Sequence, residues 1–499
     1  MRRYTSTFLV FTVIVLGAVM AGCPSGGEGT TTGSSEDGKI PITTASEDAK
    51  KEFLQGRDLA EKLQLQDSLK HYDKAIELDP NFALAELGRA NASQTAGDFF
   101  EHLEKAVNLV GKASEGEKLL ILATEAGSNG EVVIQKDYLD KLVAAFPNDE
   151  RARFSLGGYY FGQQDYPTAI EHYKKATEIN PNYSPVYNIL GYAYRQNGDF
   201  ENAEQAFKKY IELIPNDPNP YDSYGELLLK MGKFGDSIVQ YRKALSIDSN
   251  FIASHVGIAS NLIYQGKYDE AKAEFEKVTG KARSDGDRAT ALFGMTVVEL
   301  DGGAMDKALE NVDKLYKLSE QRKDSAAMSG NLQNKGAILV EMGKHDEAQA
   351  EFEKVVKITE ESDLSQEIKD NTKLFHHYNM TTVLLGKNDI PAAKAEAEKF
   401  REGADESKNP AQIRQAHELA GMIALAEKDY DKAITELEQA SQQNPANLYR
   451  LAQAYQGKDE KAKAHEFANK AAAFNSLPQL NYAFIRVKAQ KLATETKSG

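Results

Sequence analysis

The chain of 499 residues contains one cysteine and no tryptophan. A single cysteine excludes an internal disulfide, even in an oxidising compartment where one would be able to form. No phosphate-binding loop, dinucleotide-binding fingerprint, HExxH motif or Gly-x-Ser-x-Gly elbow occurs in the sequence. Without these signatures of nucleotide-dependent, metal-dependent and nucleophilic enzymes, we expect that the protein is not an enzyme.

Positive charge is also scarce. The chain has 60 Lys and Arg against 75 Asp and Glu, which gives a net charge of −15 at pH 7. An acidic surface argues against a nucleic-acid partner, because phosphate contacts require clustered Lys and Arg. The adjacent pair His376 and His377 points about 100° apart on a helix, so these two side chains cannot share one ligand. We therefore expect no metal and no cofactor.

The apolar run of residues 8–19 follows Arg2 and Arg3 and is followed by Met20-Ala21-Gly22-Cys23. It is too short for a normal membrane span, which needs roughly 20 residues. The arrangement resembles a bacterial lipoprotein signal, although Met20 stands where leucine is usual. The resemblance implies a signal peptide over 1–22 and a lipid on Cys23, which would anchor the protein in the cell envelope, at the inner or outer membrane and on the periplasmic or surface side. The alternative is an uncleaved anchor followed by a chance cysteine.

Residues 23–46 are rich in Gly, Ser and Thr and have no apolar period. Such a composition is typical of a flexible tether. Removing the signal takes away Arg2 and Arg3, so the net charge of the mature chain falls by two, to −17.

A phrase of about 34 residues recurs along most of the remaining chain, and one clear copy covers residues 184–217. In this copy Tyr187, Leu190 and Tyr194 lie on one face of a helix. Gly198 then allows a tight turn, and Pro215 ends a second helix. One such hairpin cannot bury both of its faces, so it must stack on its neighbours. The period therefore predicts a helical array.

The copies resemble the tetratricopeptide repeat family, whose pattern places aromatic, Leu-Gly, Tyr, Gly, Ala and Pro residues at fixed positions. In the copy from 184 these positions are filled by Tyr187, Leu190, Gly191, Tyr194, Gly198, Ala203, Phe207 and Pro215. The resemblance implies an all-α fold: a right-handed superhelical solenoid of about 12 hairpins, closed by a C-terminal capping helix.

The register gives repeats that start near residues 49, 83, 116, 150, 184, 218, 252, 289, 329, 372, 414 and 446. The first seven starts are 33 or 34 residues apart, and the next four intervals are 37, 40, 43 and 42 residues, so helices or loops are longer between about 280 and 413. We therefore expect a regular array over 47–285, an irregular array with longer connections over 286–475, and a capping helix and tail over 476–499. Polar inserts at 280–288, 320–329 and 403–410 are expected to be surface connections.

The resemblance also implies a binding groove, since the first helix of each hairpin lines the inner face of such arrays. Carried onto this chain, it selects Asn188, Tyr192, Arg195, Asp222 and Glu226 as the partner-binding residues. The lysine and asparagine residues with which some family members hold a C-terminal carboxylate do not occur at the matching positions. The plain alternative is that the five residues are ordinary solvated or half-packed positions.

Two functions remain open. The first is a lipid-anchored envelope scaffold that mediates protein–protein interactions, with other envelope proteins or extended peptides as partners. The second is an envelope receptor that captures a glycan or an extended peptide in the concave groove.

Overall fold

The structure, a computed structural model, describes residues 38–62, 64–93 and 95–497. The predicted signal peptide and Cys23 lie outside the described residues. The described part divides into two compact units, residues 38–224 and 225–497. It contains only helices and connections, with no strand, so the prediction of an all-α repeat array is confirmed.

The first unit consists of five hairpins and the first half of α11. Their helices are mostly 13–15 residues long, except for the short α3, and a single 3₁₀ turn (Val110–Lys112) precedes α5. The helices are α1 (Glu47–Glu61), α2 (Leu65–Leu78), α3 (Ala83–Asn91), α4 (Ala96–Asn108), α5 (Glu115–Ser128), α6 (Val132–Ala145), α7 (Glu150–Gly162), α8 (Tyr166–Ile179), α9 (Ser184–Gln196), α10 (Phe200–Leu213) and α11 (Asn219–Lys230).

The second unit begins within α11 and continues to the end of the described chain. Its hairpins become longer after α14 and shorten again at the last one. The helices are α12 (Phe234–Ile247), α13 (Ile252–Tyr264), α14 (Tyr268–Lys281), α15 (Asp285–Asp301), α16 (Met305–Gln321), α17 (Ser325–Glu341), α18 (His345–Glu361), α19 (Gln366–Gly386), α20 (Ile390–Ser407), α21 (Pro410–Ala426), α22 (Tyr430–Gln439), α23 (Pro445–Gly457), α24 (Lys461–Ala472) and α25 (Leu480–Thr496). The pairs from α1–α2 to α23–α24 are twelve hairpins, as the repeat period predicts.

Close contact between the two helices of a hairpin explains the glycine in the repeat. A Cβ atom built on Gly191 of α9 would lie 2.7 Å from the Phe207 ring of α10. The same conflict would arise between Gly157 and the Tyr173 ring. A glycine on the first helix thus lets a buried aromatic ring of the second helix reach its backbone.

Of the two alternatives for the second half, longer helices or longer connections, the structure has the longer helices. Only residues 322–324 separate α16 from α17, and only residues 408–409 separate α20 from α21. The first helices of these hairpins start four to six residues before the starts that the register gave, at Asp285, Ser325, Gln366 and Pro410. The polar inserts therefore extend existing helices, because charged residues on a solvated face are compatible with a helix as well as with a loop.

The predicted tether also differs from the structure at its end. Residues 38–46, which we call the strap, lie against the first unit, and the Ile40 side chain is only 5% exposed. The Ile40 N–H donates to Asp149 Oδ2 over 2.9 Å, and the Thr43 N–H donates to Glu117 Oε1 over 2.7 Å. Ile40 and Ile42 supply the apolar contact with the first unit. The Gly, Ser and Thr composition of the segment gave no sign of this contact.

The C-terminal helix α25 packs on the last hairpin, as predicted for a cap. Ala446 of α23 and Ala471 of α24 share an apolar cluster with Ile485 and Ala489 of α25. The helix also contacts α15, within the same unit. It therefore does more than shield the last face of the array.

Among the helices of the described residues, none is long and apolar enough to cross a membrane.

Candidate functional site

The predicted groove residues on α9 are more buried than their position in the repeat suggested. Asn188 is 7% exposed and Tyr192 is 8% exposed. The Tyr192 ring meets the Phe207 ring edge to face, with centroids 5.2 Å apart. Tyr192 therefore packs mainly inside its own hairpin. This agrees better with the alternative of a half-packed position than with an exposed groove residue.

Tyr192 and Arg195 are nevertheless side by side, as their spacing predicts. The Arg195 guanidinium lies 4.6 Å from the centroid of the Tyr192 ring. A cation above an aromatic face is held there electrostatically. Because Arg195 is only half-buried, the pair presents an oriented guanidinium on an aromatic base.

The two predicted acidic residues both lie on α11. Asp222, in the first unit, is buried, and its main-chain N–H donates to Pro218 O over 3.1 Å. Glu226, in the second unit, is half-buried. Asp222 therefore contributes less exposed charge to its face of α11 than the sequence suggested.

A second polar cluster in the first unit was missed because its members lie in different repeats. Arg57 of α1 and Arg151 of α7 are both buried, and Arg151 donates to Glu150 Oε1 over 3.0 Å. The Arg151 guanidinium lies 5.3 Å from the centroid of the Tyr183 ring. Burial, and then the charge of Arg151, lower the pKa of Arg57 to about 9. Charges of one sign are thus held close together inside this unit, with Glu150 compensating Arg151 and Glu61 compensating Arg57.

A third cluster ties the terminal helix to the second unit. Arg486 of α25 is 8% exposed, and its Nε donates to Asp301 Oδ1 at the end of α15 over 2.8 Å. Its Nη2 donates to Ile263 O, a terminal carbonyl of α13, over 3.3 Å. Burial lowers the pKa of Arg486, but the hydrogen bonds and charge of Asp301 outweigh burial and raise it above its usual value.

An aromatic contact accompanies this ion pair. The Tyr482 ring of α25 is buried, and its centroid lies 5.2 Å from that of Tyr264. The Tyr264 hydroxyl accepts from the Ser476 N–H over 2.8 Å. Periodicity carries no signal for such contacts, because the partners are more than 180 residues apart in the sequence.

Several histidines bridge the two helices of a hairpin. His255 Nδ1 lies 2.6 Å from Glu274 Oε1 across the α13–α14 hairpin, and His417 Nδ1 lies 2.7 Å from Glu436 Oε2 across α21–α22. In the described ranges no group of three or more His, Cys, Asp or Glu is arranged to hold a metal ion.

Comparisons with protein families identify the class of protein. Models described as tetratricopeptide repeat match residues 160–223, 219–251 and 378–447, and a model described as tetratricopeptide repeat-like domain matches residues 253–374. This chain belongs to the tetratricopeptide repeat proteins, which confirms the family that the repeat motif indicated. A comparison with curated protein sequences gives no match.

Several solved structures are similar to parts of the chain. A tetratricopeptide repeat protein from Parabacteroides merdae is 16% identical, covers 52% of this chain and 99% of its own, and has a TM-score of 0.37. A crystal structure of MamA protein is 24% identical over 34% of this chain and 91% of its own, with a TM-score of 0.29. The MamA 41-end protein from Desulfovibrio magneticus RS-1 is 17% identical over 34% of this chain and 94% of its own, with a TM-score of 0.30.

Proposed function

We propose that this protein is a lipid-anchored scaffold of the bacterial cell envelope that gathers other exported proteins. The observation that carries the proposal is the repeat array itself. Tetratricopeptide repeats support protein–protein interaction and are typically found in non-catalytic scaffolds. Stacked hairpins offer an extended surface that suits binding rather than chemistry.

The anchoring part of the proposal rests on the sequence before the described residues. Arg2, Arg3, the apolar run and Cys23 form the pattern of a lipoprotein signal. A diacylglycerol group on Cys23 would hold the array at a membrane, since each buried methylene contributes about 0.8 kcal/mol. We expect wild-type protein to partition with membranes and Cys23→Ser to remain unprocessed. Recovery of the wild type as a soluble chain without lipid would refute the anchor.

The contact surface that we propose is the face of α9 that carries Arg195. Its guanidinium has donors in a planar fork that suits carbonyl and carboxylate groups of a partner. Asn188, on the same helix, would flank that contact. The Tyr192 ring packs against the guanidinium, so the role of Tyr192 is to position Arg195.

Affinity capture from membranes, followed by mass spectrometry, tests this surface. Arg195→Ala should lower the yield of specific partners several-fold, while Tyr192→Phe, which keeps the ring, should retain them. Arg288→Ala is the matched control, because Arg288 is an exposed arginine paired with Asp285 in the second unit. Wild-type yield from Arg195→Ala would exclude α9 as the contact surface.

One observation favours the second candidate function, a receptor for an extended peptide. The strap is itself an extended segment that lies against the first unit, at the starts of α5 and α7, which supports a capacity of this unit to hold extended peptides. The glycan alternative has no comparable support.

A further inference from the structure

Three acidic side chains stand at the beginnings of three successive first helices in the first unit. They are Asp79 before α3, Glu117 in the first turn of α5, and Asp149 at the N-cap of α7. We call these residues the carboxylate track. Each of them uses one oxygen for its own helix or turn, since Asp149 Oδ1 accepts from Arg151 N–H over 2.8 Å and Asp79 Oδ1 accepts from Asn81 N–H over 3.0 Å.

The other oxygen of each carboxylate points to the strap and accepts a main-chain N–H. Asp149 Oδ2 binds the N–H of Ile40, Glu117 Oε1 binds that of Thr43, and Asp79 Oδ2 binds that of Ala45 over 3.1 Å. The strap therefore crosses the hairpins in the order opposite to the chain. Because three of the bonded groups are main-chain amides, the track recognises mainly an extended backbone, and the Thr44 hydroxyl adds one side-chain donor to Asp79 Oδ2.

The apolar side chain of Ile40 is recognised by its shape. Ile40 lies in a notch formed by Gly116 and Phe146, and a Cβ built on Gly116 would lie 2.7 Å from atoms of both Ile40 and Phe146. Pro41 follows, which restricts Ile40 to extended backbone and reduces the entropy lost on docking. In front of Ile40, the Lys39 ammonium pairs with the Glu150 carboxylate.

We propose that the carboxylate track and the Gly116 notch form a peptide-binding site that the strap occupies in cis. The ligand class is an extended segment with a basic residue followed by an aliphatic residue and a proline, as in Lys39-Ile40-Pro41. This inference deepens the proposed interaction function by naming a surface and the chemistry of its ligand. The surface is the helix-start edge of the hairpins, distinct from the face of α9.

Apart from its hydrogen bonds and the Lys39 ion pair, the strap is held by few buried side chains. Ile40 is its one buried side chain, whereas Thr43 and Ala45 remain exposed. A tethered occupant competes at an effective concentration near the millimolar range for a short linker, so a free peptide must be present in excess or the strap must be weakened.

A labelled synthetic peptide with the sequence of residues 38–46 is the probe, and fluorescence anisotropy with the full-length protein is the measurement. Ile40→Asp removes the strap from the notch, because a carboxylate cannot be buried there without a partner. We expect the Ile40→Asp protein to bind the peptide at least about tenfold more tightly than the wild type, by removal of the tethered competitor. Thr43→Pro, which deletes the N–H that Glu117 binds, should give a smaller change in the same direction.

The site itself is tested in the Ile40→Asp protein. Adding Gly116→Ala fills the notch and should abolish peptide binding, whereas Gly162→Ala is the control, since a Cβ at Gly162 meets nothing within 4 Å. Any of three results would overturn the proposal. The wild type and Ile40→Asp bind the peptide equally, neither Ile40→Asp nor Thr43→Pro binds it, or binding survives the addition of Gly116→Ala. Because partner capture through Arg195 is measured separately, failure of this site and failure of the scaffold function are distinguishable.

Discussion

The two units each receive a segment from one end of the chain, but they hold it with different chemistry. The first unit holds the strap through main-chain amides, carboxylates and the Ile40 side chain. The second unit holds α25 through a buried ion pair and a buried tyrosine. The first segment is therefore an adherent peptide, whereas the second is part of the core.

This difference shows that a repeat array need not depend on neighbouring hairpins alone. Repeat proteins usually owe their stability to the sum of interfaces between adjacent repeats. In the second unit, Tyr482 and Ala483 of α25 belong to one apolar cluster with residues of α13, α15 and α16. We therefore expect this unit to unfold more cooperatively than the sequence alone suggested.

The largest expected effect comes from breaking the contact between Arg486 and Asp301. Arg486→Ala leaves the Asp301 carboxylate buried without its partner, which typically costs about 3–5 kcal/mol. The loss should appear in the second unit and leave the first unit intact. Hydrogen exchange read out by segment, together with chemical denaturation, checks both statements.

Two further variants distinguish the cost of an unpaired buried charge from the loss of the whole contact between α25 and α15. Replacing both partners, as Arg486→Met with Asp301→Leu, should recover much of the stability, because no unpaired charge then remains. Lys488→Ala is the control on the same helix, since its ion pair with Glu341 is partly exposed and such pairs contribute about 0–1 kcal/mol. If Arg486→Ala is no more destabilising than Lys488→Ala, α25 is only an end cap.

A smaller effect is expected from overpacking one hairpin of the first unit. Gly191→Leu drives a side chain into the Phe207 ring and should cost about 1–3 kcal/mol. Gly162→Leu provides the comparison, because the space around Gly162 is open. Thermal melts that are equal for the two variants would contradict the close helix contact that we infer for the repeat.

The smallest effect concerns acid release of the strap. Burial raises the pKa of the Asp79 carboxyl, but hydrogen bonds from the Thr44 hydroxyl and from the Asn81 and Ala45 N–H groups outweigh it and hold that pKa below its usual value. A lowered carboxyl pKa gives stabilisation that is present above the ordinary value of about 3.9 and is lost as the pH falls through the lower, folded-state value.

Docking of the strap should therefore weaken as the pH falls below about 4, the ordinary range of an aspartate. Backbone amide signals of Ile40, Thr43 and Ala45, followed by NMR during acid titration, report on the docked state. An Asp79→Asn protein should lose the part of this pH dependence that Asp79 causes. Amide signals that stay constant until the whole unit unfolds would show that the strap is not an independent element.

The repeat period predicted the number of hairpins and the capping helix, because one buried stripe recurs in every copy. It placed the later hairpin starts four to six residues late, since the repeat pattern does not register an extra turn at the front of a helix. The groove residues were predicted from single copies, so the burial of Asn188 and Tyr192 against their neighbours was not visible. The docking of the strap was not predicted, because two isoleucines in a polar segment, Ile40 and Ile42, give no periodic pattern.

The contact of α25 with α15 also makes the second unit sensitive to the number of its repeats. Four hairpins, from α17–α18 to α23–α24, lie between Asp301 and the terminal helix. Losing or duplicating one of them would shift Arg486 by the width of two packed helices, roughly 16–20 Å, and the ion pair would not form. A change in the number of hairpins would therefore leave the buried Asp301 carboxylate without its partner.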